Sequence, residues 1–280
     1  MGRGGGGRAF AVQVSMNGLT AINIEFTSRC NKSCWMCGRR KVDRDFPEKA
    51  TSYGDMPIEM VESISKQVPE GIVVQFHNNG EPLLYPRLKE ALGLFPHCIR
   101  QLDTNGKLLL EKAEDLIGNL DVLTVSVIQD DTHFDRYLQW ESVTGFLKIK
   151  GDQKPRMVYR CLGEVDTLSW KCLQGMVVTR TLHDAMGSFN YKKPVTIPEI
   201  GICDNFLTRL SIDRFGNVSP CPRFDPHGLG IIGNINDQSL EEIWDSDVRQ
   251  FQKRMHILGS RDLLPLCSQC DYWGVPIGGV

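Results

Sequence analysis

Ala21-Ile-Asn-Ile-Glu-Phe-Thr-Ser-Arg-Cys30-Asn-Lys-Ser-Cys34-Trp-Met-Cys37 places a short apolar strand candidate, Ala21–Phe26, directly before three cysteines spaced Cys-x3-Cys-x2-Cys. Three thiols within eight residues can surround one metal centre without distant help, and thiolates select zinc or iron–sulfur clusters. A structural zinc needs a fourth ligand, and no Cys or His follows until His77. A [4Fe–4S] cluster held by three cysteines instead leaves one iron open to a small molecule. The missing fourth ligand therefore favours a reactive cluster over a closed ion, with zinc and a distant partner as the alternative.

Outward from this stretch, strand and amphipathic helix candidates alternate as in parallel β/α units. The strands expected after Ala21–Phe26 are Ile72–His77, Ile99–Asp103, Asp121–Val127, Arg156–Leu162 and Gly175–Thr181. Helices are expected at Ile58–Gln67, Pro86–Leu94, Lys107–Ile117 and Phe134–Ile149. Six strands are too few for an eight-stranded barrel and suit a partly open one. In parallel α/β sheets chemistry collects where strands end. The cysteines follow the first strand, Asn78-Asn79-Gly80-Glu81-Pro82 the second and Thr104-Asn105-Gly106 the third, while Ser126 sits near the end of the fourth.

The pattern changes at a polar, proline-containing connector around Lys192 to Pro198, after which a small second unit is expected. Arg209–Ile212 and Val218–Cys221 flank Asp213-Arg-Phe-Gly-Asn217, a β-hairpin pattern with Gly216 in the turn. Ser239-Leu-Glu-Glu242 has the form of a capping box opening a short helix, and a further helix is expected over Val248–Leu258. Cys203, Cys221, Cys267 and Cys270 supply four thiols in this unit, which close a tetrahedral zinc site or a [4Fe–4S] cluster equally well.

The Cys30/Cys34/Cys37 spacing at the end of a first strand, within a β/α pattern of this length, resembles the radical S-adenosylmethionine (SAM) superfamily. The resemblance implies an α/β fold: a partial (β/α)6 radical SAM barrel over residues 19–195, after a Gly-rich tail at 1–18, followed by a small α+β auxiliary iron–sulfur cluster domain at 196–280. It also implies that SAM chelates the open iron, and that electron transfer releases methionine and a 5′-deoxyadenosyl radical, which abstracts hydrogen from substrate. Gly80-Glu81-Pro82 resembles the Gly-Gly-Glu-Pro segment of the family, with Asn79 in place of the first glycine, so Glu81 is implied to accept a hydrogen bond from the SAM amino group. Asn105 and Ser126 match positions that approach the nucleotide or ribose. Met36 stands where an aromatic residue often lies against the adenine, a contact its soft thioether can also make. The second unit, with Gly216-Asn-Val-Ser-Pro-Cys221 and Cys267-Ser-Gln-Cys270, resembles the SPASM and Twitch auxiliary-cluster domains, which implies a second [4Fe–4S] cluster on Cys203, Cys221, Cys267 and Cys270.

A fully ligated second cluster suits electron relay, as when a secondary alcohol becomes a ketone. The sequence also resembles radical SAM dehydrogenases acting on an aminocyclitol, which implies two-electron oxidation of a small polyol, aminocyclitol or sugar-like alcohol as the expected function. The alternatives are peptide or protein modification, epimerisation with Cys161 or Cys172 as hydrogen donor, and a non-catalytic zinc module. Cys98, with Cys161 and Cys172, is otherwise expected to be an ordinary buried cysteine. Arg160 and His183 are the candidate catalytic residues, Arg160 as an anchor for substrate and His183 as a base, and His77 is ambiguous. A small-molecule substrate is expected ahead of a peptide, with flavodoxin or ferredoxin as electron donor. A formal net charge of -2 gives no reason to expect nucleic acid or an anionic membrane as partner. With no apolar run long enough for a signal or a membrane span, the expected location is cytoplasmic, where ten cysteines point to metal binding over disulfides.

Overall fold

Apolar and β-branched runs at Ala21–Ile24 (β1), Val73–Gln75 (β2), Ile99–Thr104 (β3), Val122–Ile128 (β4), Arg156–Leu162 (β5) and Met176–Arg180 (β6) pair in parallel, each with the next along the chain. The structure, a computed structural model, describes residues 16–34, 36–45, 47–50, 52–129, 131–180, 203–222, 225, 227–268 and 270. All six expected strands form, with ends shifted by a residue or two. Every residue of β1 is buried, as expected for an interior parallel strand covered on both faces.

The crossovers carry helices α1 (Gly38–Asp45), α2 (Pro47–Ala50), α3 (Ile58–Ser65), α4 (Leu88–Gly93), α5 (Ala113–Leu116), α6 (His133–Lys150) and α7 (Leu168–Lys171). Helix α3 buries Ile58, Val61 and Ile64, α4 buries Leu88, Ala91 and Leu92, and α6 buries Val143 and Phe146. These join Ile22, Ile24, Val74, Leu102, Leu123 and Val125 of the strands in one hydrophobic core. The helix expected over Lys107–Ile117 is regular only at Ala113–Leu116. Its first half is turn, because the chain leaves β3 through Thr104-Asn105-Gly106, with Gly106 at φ 78° and hydrogen bonds fixing both Asn105 and Lys107.

The second unit does not stand apart from this sheet. Strand β7 (Arg209–Ile212) pairs in parallel with β1, in register Ala21↔Arg209 to Ile24↔Ile212, and β8 (Asn217–Ser219) and β9 (Gly233–Asn234) continue antiparallel. The result is one nine-stranded sheet in the order β6-β5-β4-β3-β2-β1-β7-β8-β9. Without β7 the outer edge of β1 would offer a row of unpaired backbone groups. Because β7 runs with β1, its C-terminal end and the hairpin after it lie on the same side of the sheet as the cysteine loop.

That hairpin forms as expected, with Gly216 at φ 85° and Asp213 Oδ1 accepting from the N–H groups of Phe215 and Asn217, both at 2.9 Å. Helices α8 (Asp204–Thr208), α9 (Leu240–Trp244), α10 (Asp247–Ile257) and α11 (Pro265–Ser268) complete the unit. Leu240, Ile243 and Trp244 of α9 join the core of the six-stranded region, and the Leu240 N–H donates to Gln67 Oε1 at 2.8 Å. Of the expected tail at 1–18, only residues 16–18 are described, and there Met16 is buried in the core against the expectation of a free tail; the connector near Lys192 to Pro198 lies outside the described residues. Among the described residues no helix is long and apolar enough to cross a membrane.

The capping box at α9 is complete: Ser239 Oγ accepts from the Glu242 N–H and Glu242 Oε2 accepts from the Ser239 N–H at 2.7 Å. Ser239→Ala is expected to cost about 1 kcal/mol in denaturant unfolding. A double-mutant cycle with Glu242→Ala is expected to be non-additive, since each residue satisfies a backbone donor beside the other. Additive losses would show that the two caps act separately.

Candidate active site

At the C-terminal ends of the six parallel strands lies a cavity of about 330 Å³ to which every one of those strands or its following loop contributes. The loop after β1 brings Cys30, Cys34, Met36 and Cys37, and that after β2 brings Asn78, Asn79, Gly80 and Glu81 behind His77. Asp103, Thr104 and Asn105 come from the end of β3, Ser126 from β4, Arg160 from β5 and Arg180 from β6. Eight of the residues expected at this site are thus brought together: Cys30, Cys34, Cys37, Met36, Glu81, Asn105, Ser126 and Arg160. His183 lies outside the described residues.

The cysteine loop is seated on the loop after β2 by a contact that admits no side chain. A Cβ on Gly80 would lie 1.9 Å from the Thr27 carbonyl oxygen and 2.9 Å from that of Arg29. The next residue donates its N–H to the Arg29 carbonyl at 2.8 Å. From the other side, the Ser28 N–H donates to the Gly54 carbonyl at 2.9 Å and Arg29 Nε donates to Asp55 Oδ1 at 3.0 Å.

Among the described residues no three His, Cys, Asp or Glu side chains close on a single metal ion. The fit to a cluster rests on the donor set itself. Burial pushes the Cys34 thiol up to about 11; Lys32 opposes this, and the neighbouring Cys37 and Cys30 add to it. Burial likewise raises Cys37, with Cys30 again adding. Cys34 and Cys37, which resist ionising beside Cys30, are ligands that a cationic iron–sulfur group would stabilise as thiolates.

Glu81 locks the β2 and β3 loops together. Its Oε1 accepts from Thr104 Oγ1 at 2.7 Å and from the Leu83 N–H at 3.1 Å, and Oε2 accepts from the Asn105 N–H at 2.7 Å. Burial raises its pKa against these donors. Asn105 in turn reaches back to the cysteine loop, donating from Nδ2 to Asn31 Oδ1 at 2.8 Å and lying 3.9 Å from Cys30 Sγ. Gln139, buried on α6, donates to the carbonyls of Asn105 and Ser126 at 2.8 and 3.0 Å and so joins the ends of β3 and β4. The sequence reading missed Gln139. Its only signal is its place on the buried stripe with Ser142, Val143 and Phe146.

On the cavity wall, Asp103 binds Arg160 Nη1 and stands 3.3 Å from His77 Nε2. Burial alone would raise the Asp103 carboxyl, but the charges of His77 and Arg160 and hydrogen bonds from Arg160 and Gln75 outweigh it and hold it at about 2. Burial pushes His77 down; Asp103 opposes this and the Arg160 charge adds to it. Asp103 was also missed, although a carboxylate closing a buried strand just before an Asn-Gly turn is a recognisable signal. Arg160, expected as an anchor for substrate, is here anchored itself.

In the second unit burial pushes Cys267 up to about 12; Cys270 and Cys203 reinforce the rise and Arg261 opposes it. Arg261 Nη1 holds the Cys-x2-Cys turn by donating to the carbonyls of Cys267 at 2.8 Å and Cys270 at 3.1 Å. Cys221 lines a separate cavity of about 170 Å³ together with Glu25, Arg214, Asn78 and Asn79. Asn78 and Asn79 line both cavities, so the loop after β2 is the partition between them. Buried Glu25 steadies this partition by accepting from the Asn79 N–H at 3.2 Å and the Arg214 N–H at 3.3 Å. Cys98 and Cys161 are buried in the core as expected, whereas Cys172 is exposed after α7, where its thiol donates to the Leu168 carbonyl one helical turn back.

Residues 203–271 match the SPASM iron–sulfur cluster-binding domain family. The chain is 23% identical, over 90% of its length and 93% of the relative's, to the S-adenosyl-L-methionine-dependent 2-deoxy-scyllo-inosamine dehydrogenase of Niallia circulans. Its fold matches the crystal structure of BtrN in complex with AdoMet and 2-DOIA, with a TM-score of 0.60 at 20% identity over 90% of this chain and 93% of that one. It also matches Streptococcus suis SuiB bound to S-adenosylmethionine, with a TM-score of 0.61 at 14% identity over 91% and 72%. The resemblance carried by the cysteine motifs stands. The fold is the partial β/α barrel of these solved structures, followed by the region that matches the SPASM family.

Gly80→Ala is expected to displace the cysteine loop, so that iron retained after anaerobic reconstitution falls well below wild type while the far-UV circular dichroism is kept. Asp103→Asn is expected to destabilise the protein by about 3 kcal/mol at pH 7, the scale for breaking a buried pair. A carboxyl held low when folded contributes stability above its ordinary pKa of about 3.9 and loses it as pH falls toward about 2. The gap between wild type and Asp103→Asn is therefore expected to narrow in urea titrations below pH 4. A constant gap would mean that Asp103 is not held as described.

Proposed function

We propose that this chain is a radical SAM oxidoreductase that holds one [4Fe–4S] cluster at Cys30, Cys34 and Cys37, binds SAM beside it, and oxidises an alcohol of a small polyol, aminocyclitol or sugar-like substrate by two electrons. The observation that carries this reading is the single cavity in which the three cysteines, Glu81, Asn105 and Ser126 converge from successive strand ends. When bound, the reduced cluster and SAM supply a 5′-deoxyadenosyl radical that takes a hydrogen atom from substrate.

The chain's own residues position the reactants. The Gly80 contact and the Asn105 side chain fix the cysteine loop, while Met36, 5% exposed, offers a soft apolar surface to the adenine. Asp103, Arg160 and His77 form a polar wall matched to the hydroxyl or amino groups of a small hydroxylated molecule. The four cysteines of the SPASM-type unit would hold a second [4Fe–4S] cluster able to accept the second electron, and one of them, Cys221, lines the cavity that shares Asn78 and Asn79 with the first. A flavodoxin or ferredoxin would reduce the first cluster. The reading divides the chain into a tail at 1–18, a barrel at 19–195 and a cluster domain at 196–280.

Similarity to a dehydrogenase along almost the full length of both chains supports a small alcohol as substrate. SuiB has also been solved bound to its precursor peptide SuiA, with a TM-score of 0.55, and this keeps peptide modification as the second reading. The epimerase alternative loses its two proposed donors: Cys161 is fully buried in the core, Cys172 lies on the surface after α7, and neither lines the cavity.

Anaerobic reconstitution followed by iron and sulfide analysis tests the assignment. Wild type is expected to bind about eight irons, the Cys30→Ala/Cys34→Ala/Cys37→Ala variant about four, and only wild type to release 5′-deoxyadenosine with dithionite and SAM. Zinc in place of iron, or no SAM cleavage, would overturn the reading. A carbonyl product from an aminocyclitol or polyol, and none from peptides, would select the first substrate class.

A further inference from the structure

His256 does not belong to the cavity at the strand ends, and its burial is unusual for a polar ring. It lies near the end of α10 with 1% of its surface exposed, its imidazole stacked on Phe206 at a centroid distance of 4.5 Å and an angle of 23°. One nitrogen, Nε2, stands 3.5 Å from Cys267 Sγ. The other, Nδ1, is buried with no hydrogen-bond partner among the described residues. A phenyl ring would stack on Phe206 as well without burying an unmatched nitrogen, so packing alone does not account for an imidazole here.

The geometry points to His256 as a positioning residue for the auxiliary cluster, donating its Nε2–H to the sulfur of Cys267 and thereby setting the potential at which that cluster takes an electron. The inference rests on the reading of Cys267 as a cluster ligand. A metal-bound thiolate has no proton to give, so the facing ring nitrogen must be the donor. Hydrogen bonds to cluster sulfurs draw off negative charge and favour the reduced state, one of the main ways in which proteins tune iron–sulfur potentials. Arg261 complements this from the backbone side: it holds the carbonyls of Cys267 and Cys270 and so fixes the turn that presents the sulfur to His256.

The test uses the full-length reconstituted protein labelled with [15N]histidine. Pulsed EPR of the reduced auxiliary cluster is expected to show a 15N coupling that unlabelled protein lacks. The same coupling is expected to vanish in labelled His256→Phe, which keeps the stacking on Phe206, and the auxiliary potential of that variant is expected to shift negative at unchanged iron content. A second cluster with full iron and no histidine coupling in wild type would overturn the inference alone, as would an unshifted potential in His256→Phe. Wild type that binds no second cluster would overturn the assignment of Cys267 as well. The wild-type spectrum needs no substitution, so a misfolded His256→Phe would leave the decision to it.

Discussion

The site depends on a steric prohibition. Residue 80 has no room for even a methyl group, because the carbonyl oxygens of Thr27 and Arg29 occupy the place where a Cβ would be. Glycine allows two loops from neighbouring strands to touch backbone to backbone, and the three-cysteine loop is held by that touch together with the donation from the Glu81 N–H to the Arg29 carbonyl. Hydrogen bonds alone would fix the distance less sharply, since they tolerate several tenths of an ångström. The strand ends supply the direction of the loops, and the glycine contact supplies their separation.

Buried carboxylates hold the remaining loops, each by a different compensation. Glu81 is surrounded by neutral donors and stays hard to ionise, while Asp103 faces charges and ionises readily. Glu25 resembles Glu81: burial raises its carboxyl, and backbone N–H groups from the β2 loop and the β7–β8 hairpin converge on it. The loop after β2 is therefore gripped by Glu81 on its barrel side and by Glu25 on its hairpin side, with Asn78 and Asn79 between them. Rigidity here matters because one short segment forms a wall of both cavities.

The strands and both cysteine groups were legible in the sequence because their signals are local. A run such as Ala21–Ile24 carries its burial in its composition, Cys30 to Cys37 carries its chemistry in its spacing, and Ser239 to Glu242 carries its cap in four letters. What escaped the reading depends on contacts between distant segments. Nothing near Arg209 announces that it will lie beside Ala21, so the second unit reads as separate although its first strand continues the sheet. Gln139 looks like any polar residue of a long helix until the ends of β3 and β4 are placed against it. Asp103 and Arg160 stand on strands β3 and β5, and only the sheet order shows that their side chains meet across β4. The turn before α5 escaped for a further reason: the residues after Gly106 favour helix, and tertiary hydrogen bonds overrule that preference.

The pairing of β1 with β7 bears on how the protein is made. The Thr20 side chain donates to the Thr208 carbonyl across 188 residues of chain, and the adjoining backbone ladder spans the same interval. On a ribosome adding ~5–20 residues per second, the first strand emerges about ten to forty seconds before its outer neighbour exists. Throughout that interval a buried, mostly apolar strand edge, followed by the three-cysteine loop, has no native cover on that side. The chain's hydrophobic centre is thus closed late, by a segment 188 residues away, a topology of high contact order in which nascent protein is exposed to misassociation while it waits.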